Sequence, residues 1–251
     1  MTRPMLGWVL LALLSYLLFL LLTLPAQRVA AWSGAPLTEV RGSLWAGAGT
    51  LQAGREAIQN IRWRLHPVWP WQGALGAGIA AEHQGWQAAG ELRLGWNGTL
   101  RVNDATLSGP LDSPLLARHL PLPLRGQARL RIPQADWTGG LAKAEGVILE
   151  VFKTSIMLGE PLALGDLAAE IEVIDGRLDG RLHDKGGPLE LAGRLEGDAR
   201  SGLAFEARLA ARPGAPAALA DNLRLLPAAP EGGARIHTRL TAPWLAALRT
   251  Q

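Results

Sequence analysis

From Glu39 onward the chain alternates apolar and polar residues with a period of two. Ile61, Trp63 and Leu65 stand between Arg62, Arg64 and His66. Leu92, Leu94 and Trp96 flank Arg93 and Gly95, and Ala128, Leu130 and Ile132 stand between Gln127, Arg129 and Arg131. The same alternation runs through Glu170–Val173, Arg177–Leu182, Leu189–Glu196 and Leu203–Leu209. Successive side chains on a strand point to opposite faces, so such a pattern buries one face and wets the other. The chain is therefore expected to be mainly β, built as an antiparallel sheet with one covered face.

The breaks between these runs carry turn chemistry. Asn97-Gly98 and Asp175-Gly176 are pairs favoured in two-residue hairpins, and Gly186-Gly187-Pro188 marks another turn. Helical signals are few: one short turn is expected over Ser113–Leu120 and another over Ala217–Leu226. The proline-rich stretches Pro110–Pro123 and Pro213–Pro230 read as connections crossing an edge of the sheet. Val40–Trp45 with Ile61–Leu65 is faintly echoed by Ala144–Leu149 with Ala169–Val173. Two β-meanders of similar plan would account for the echo, and so would chance similarity between alternating strands.

The amino terminus follows a different rule. Leu6–Leu24 is a 19-residue run without charge, dominated by Leu. A spanning helix needs about 20 apolar residues, whereas the apolar core of a secretory signal has roughly 7–15. The run is expected to be a retained transmembrane anchor, although Val29-Ala30-Ala31 also fits a signal cleavage site. The expected organisation is an anchor over residues 1–27 and a β-rich domain over residues 28–251. The flanking Arg3 and Arg28 set no strong orientation. A very short leading tail is taken to place the β domain outside the cytoplasm.

Composition narrows the function. The net charge is only +3, too small and too scattered for the basic stripe of a nucleic-acid binder. There is no Cys, which excludes disulfides and thiol catalysis. The five histidines, His66, His83, His119, His183 and His237, show no metal-ligand spacing, so no metal site is expected. Asp175 and Asp179 could pair as catalytic carboxylates, but Gly176 and Gly180 beside them point to hairpin geometry. No nucleophile elbow, P-loop or dinucleotide fingerprint is present. No catalytic residue, cofactor or metal is expected.

Ten Trp stand against three Phe and one Tyr. Trp63, Trp69 and Trp71 cluster in sequence and form the candidate contact surface for a partner or a membrane. The competing reading is a core corner, with Trp63 inward beside Ile61 and Leu65. Trp45 and Trp96 are expected in the core.

The order of motifs resembles a known family. The anchor ends in Leu24-Pro25-Ala26. Val40-Arg41-Gly42-Ser43-Leu44-Trp45-Ala46-Gly47 matches a Gly-(Thr/Ser)-(Leu/Val)-Trp-x-Gly signature, and Ile61–Leu65 matches a Leu-x-Trp-x-Leu strand. Asp184-Lys185-Gly186-Gly187-Pro188-Leu189 matches an Asp-x-Gly-Gly-Pro-Leu strand pair, and Ala211-Arg212-Pro213 a late turn. In this the chain is similar to type II secretion system protein N, over roughly Leu6–Leu226. The resemblance implies a single-pass inner-membrane protein with a curved periplasmic sheet. It also implies a non-enzymatic part in moving folded proteins across the outer membrane. The implied partners are the inner-membrane platform and the outer-membrane secretin. The family's β domain in turn resembles the AsmA-like envelope proteins, which keeps a lipid-binding module as the alternative.

Overall fold

The computed structural model describes residues 3–53, 56–67, 74–114, 123–138, 141–158, 160–198, 202–230 and 232–240. The chain divides into two units, Met1–His83 and Gln84–Gln251. Thirteen strands and three helices are present among the described residues. In each unit the strands follow one another in the sheet in chain order, all antiparallel, so each is a meander. The division at His83 separates four strands from nine, and both halves of the second faint sequence echo, at Ala144 and Ala169, fall inside the larger unit.

The first unit opens with helix α1 (Arg3–Leu22), then helix α2 (Ala26–Ser33). Strands β1 (Leu37–Gly42), β2 (Ala46–Ala53), β3 (Glu56–Pro67) and β4 (Ala74–His83) follow. Every described side chain of α1, Trp8 to Leu22, is exposed. Among the described residues no helix is long and apolar enough to cross a membrane, so the transmembrane helix expected over Leu6–Leu24 does not appear as such.

The second unit contains β5 (Trp86–Gly95), β6 (Leu100–Pro110), β7 (Leu124–Trp137), β8 (Leu141–Leu158) and β9 (Glu160–Ile174). After these come β10 (Arg177–Asp184), β11 (Leu189–Asp198), β12 (Gly202–Ala211), helix α3 (Ala217–Leu223) and β13 (Ala234–Leu240). The expected alternation holds along these strands; on β11, Leu189 and Leu191 are buried while Glu190 and Ala192 are exposed. Ala135, Ala144, Val147 and Val173 form one buried cluster, edged by partly covered Val102, Leu130, Ile132, Ile171 and Leu178. Charged residues on the wet positions pair across strands: Arg101 lies opposite Asp136 and bonds it at 2.7 Å. Such exposed pairs contribute little to stability each, up to about 1 kcal/mol.

Bulges interrupt the alternation. The register shifts near Glu39, Asn60, Asp104 and Lys153, all non-glycine residues with positive φ. A bulge adds one residue to one strand and bends it locally.

Two expectations are corrected. Trp96, expected in the core, is 85% exposed, because it sits in the turn rather than on β5. Asn97-Gly98 is not a two-residue hairpin: the Gly95 amide donates to the Thr99 carbonyl at 2.9 Å, and Asn97 Oδ1 accepts from the Thr99 amide. The Asn side chain thus builds a wider turn around itself. Within Pro213–Pro230, helix α3 folds onto the sheet, where Leu219, 2% exposed, packs against Ile156, Leu162 and Leu189. Asp175-Gly176 is the expected tight hairpin, with Ile174 opposite Arg177 and both turn residues at positive φ. The helical turn expected from Ser113 to Leu120 lies mostly outside the described residues.

Candidate functional site

In the first unit the side chain of Trp45 ties the end of α1 to the loop before β2. Helix α1 must end near Leu22, because Pro25 lacks the amide needed to continue it. Its last carbonyls then have no partners within the helix. Phe19 accepts from the amide and the hydroxyl of Thr23, at 3.0 and 2.8 Å. The Leu21 carbonyl accepts from the indole Nε1 of Trp45 at 2.9 Å. One residue earlier, the Leu44 amide donates to the Leu24 carbonyl at 2.8 Å, and Pro25 bridges to Ser43. The end of α1 is thus fixed by the loop between β1 and β2.

That loop is the signature Gly42–Gly47, and each position has a task. Gly42 has φ +92, and a Cβ there would lie 2.5 Å from the Ala46 carbonyl oxygen. Ser43 closes the turn: its amide donates to the Ala46 carbonyl at 2.9 Å and its Oγ accepts from the Ala46 amide at 3.2 Å. Gly47 lies opposite Trp63, whose ring occupies the space a Cβ would take, at 2.4 Å. The Trp63 indole Nε1 donates to the Leu44 carbonyl at 3.2 Å. Trp45, expected simply as core, is half-buried and hydrogen-bonded to the helix.

The larger unit repeats the Trp-on-Gly device. Trp86 covers Gly109, where a Cβ would meet the ring at 2.4 Å, and donates Nε1 to the hydroxyl of buried Ser113 at 2.8 Å. Its second signature, Asp184–Leu189, also closes on itself. Asp184 Oδ1 accepts from the Gly186 amide at 3.1 Å and Oδ2 from the Leu191 amide at 3.0 Å. The Arg212 guanidinium bonds Asp184 Oδ1 and the Gly187 carbonyl. Burial pushes the Asp184 carboxyl up, but the two amides and Arg212 outweigh it and hold it below its ordinary value. Gly165 and Gly187 touch backbone to backbone; a Cβ on Gly187 would lie 2.7 Å from the Gly165 Cα.

Of the predicted contact residues, Trp63 is half-buried on β3, inward with Ile61 and Leu65. Trp69 and Trp71 lie outside the described residues. Among the described residues no three His, Asp or Glu side chains gather as a metal site. Asp179 does not pair with Asp175; it bonds Arg194 at 2.9 Å across β10 and β11. Sequence reasoning missed the Trp45–Leu21 and Asp184–Arg212 pairs, although all four residues lay in segments the sequence singled out.

The geometry defines a β-meander protein whose leading helix is tied to its sheet by a signature loop. Residues 33–237 match the family described as type II secretion system (T2SS), protein N. The type II secretion system protein N of Aeromonas hydrophila is 28% identical over 240 residues, which covers 90% of this chain and 94% of that protein. No solved structure matches. The chain belongs to the type II secretion system protein N family, and is a component of type II protein secretion.

Proposed function

We propose that this chain is a single-pass inner-membrane component of the secretion machine. Its strands stand on the periplasmic side, where it acts without catalysis by holding partner proteins while folded proteins cross the outer membrane. The observation that carries this reading is α1: from Trp8 to Leu22 every side chain is exposed, and none is charged. A rod of Leu with no covering protein is compatible with lipid and not with water. In the sequence the uncharged run Leu6–Leu24 has 19 residues, close to the length a span needs. The partners in this reading are the inner-membrane platform and the secretin, engaged through sheet edges and the region of Trp69 and Trp71 that follows β3 in sequence.

The test replaces Leu6–Leu24 with a cleavable signal, releasing the β domain. Loss of secretion of the machine's substrates supports tethering; secretion at the unaltered level would sink it. Orientation is read separately, because the chain has no Cys. A Trp96→Cys variant, at an exposed turn, should react with an impermeant maleimide once the outer membrane is opened. Labelling only after full lysis would reverse the orientation.

The alternative reading is an AsmA-like lipid-binding module, which would hold acyl chains on the apolar face of the sheet. Val102, Leu130, Ile132, Ile171 and Leu178 are only partly covered, leaving apolar area on one face of the sheet. Phospholipid retained in native mass spectra of the detergent-stripped chain would favour that module over a purely protein-binding role.

A further inference from the structure

We infer that helix α2 lies flat on the bilayer surface, with Trp32 seated in the headgroup zone and Arg28 against lipid phosphate. The inference rests on the anchoring reading above. Only Thr23, Leu24 and Pro25 separate α1 from α2. The four residue steps from Leu22 to Ala26 span at most about 14 Å, so α2 begins within that distance of the end of α1. It is not free to swing away. The bonds from Trp45 to Leu21 and from Leu44 to Leu24, with the Pro25–Ser43 bridge, fix both ends of that connection to the sheet.

The two sides of α2 differ. Ala26 is buried, and Val29 and Ala30 are half-buried. Arg28, Ala31 and Trp32 stand at spacings of three and four, share the other face, and are exposed. Trp32 is 76% exposed, a bare indole one short helix away from an uncovered apolar rod. Its helix carries no acidic residue, and Arg28 has no ion pair among the described residues. An indole has an apolar body and a polar edge, and settles where lipid meets water. A guanidinium one helical turn away reaches phosphate while its stem stays in the apolar layer. Together they are the short form of an interfacial amphipathic helix. The consequence is a fixed pose: the signature loop would hold the first unit against the membrane rather than leave it on a loose tether.

The experiment uses the full chain in liposomes of phosphatidylethanolamine and phosphatidylglycerol. Single nitroxide labels go on Leu14→Cys in α1 and on Ala31→Cys in α2, and collisions with oxygen and a nickel chelate report depth. The inference expects the Leu14 label in hydrocarbon and the Ala31 label at headgroup depth. Adding Trp32→Ala, an exposed position that leaves the fold intact, should move the Ala31 label into water. An Ala31 label in water beside a Leu14 label in lipid overturns the inference and leaves the anchor standing. So does an Ala31 label as deep as Leu14, or one that Trp32→Ala does not move. Both labels in water would overturn the anchoring reading and, with it, this one.

Discussion

The indole of Trp45 hydrogen-bonds the carbonyl of Leu21 at 2.9 Å, across 24 residues of chain, and so gives the end of α1 a partner on the sheet. The same loop passes the Leu44 amide to Leu24 and takes the Trp63 indole on the Leu44 carbonyl. Helix end, signature loop and β3 therefore form one connected set of bonds.

Trp45→Phe keeps the ring and removes only the donor. A single hydrogen bond contributes about 0.5–1.5 kcal/mol net, so local opening of the joint should become roughly two- to tenfold more frequent. Hydrogen exchange of the Leu44 amide in the reconstituted chain reads this directly. An exchange rate equal to that of the unaltered protein would mean the indole bond is not holding the joint.

Gly47→Ala should be more damaging than its size suggests. The new Cβ would fall 2.4 Å from the Trp63 ring, which must move and release Leu44. Overpacking of this kind costs about 1–3 kcal/mol. Gly109→Ala should do the same to Trp86 and Ser113 in the second unit. Denaturant midpoints and a changed Trp emission would report both. Unchanged midpoints would show that the rings have room to slide.

The period-two pattern located the strands because one face of each is covered and the other wet, as on β11. It failed where something other than burial set the residue. Trp96 is apolar yet lies in a turn held by Asn97, and Leu94 beside it is exposed. Ile132 and Ala135 both face the same cluster at a spacing of three, a phase change that no alternation predicts. The site was legible as motifs and not as geometry. Asp184 and Arg212 were each visible in a signature, but their bond joins residues 28 apart. Nothing local in the sequence announces that Trp45 reaches Leu21.

Leu219→Ala tests whether α3 is part of the core or an ornament on it. Leu219 is 2% exposed among Ile156, Leu162 and Leu189. Truncating such a side chain costs about 2–5 kcal/mol. Leu225→Ala, 83% exposed just past the helix, should cost nothing measurable. Chemical denaturation of the pair in parallel gives the comparison. Equal midpoints would mean that α3 does not contribute to the stability of the second unit.

Asp184 should make the second unit acid-sensitive. Burial opposes its ionised form, but the amides of Leu191 and Gly186 and the Arg212 guanidinium prevail, so its folded-state value lies below the ordinary 3.8. A carboxyl shifted downward binds its proton more readily in the unfolded chain than in the folded one. The stability it supplies is therefore complete above its ordinary range, around pH 4–5, and is lost as pH falls through the folded value. Asp184 is 8% exposed at its side chain, so losing its charge leaves Arg212 and two amides poorly matched. Asp184→Asn should cost about 1–3 kcal/mol at pH 7. It should also flatten the fall in urea midpoint between pH 5 and pH 3. Some slope will remain, because the hydrogen bond from Arg194 and its charge also hold Asp179 below its ordinary value. An Asp184→Asn protein whose midpoint falls as steeply as that of the unaltered chain would move the acid sensitivity to other carboxylates and leave the Asp184–Arg212 bond without weight at low pH.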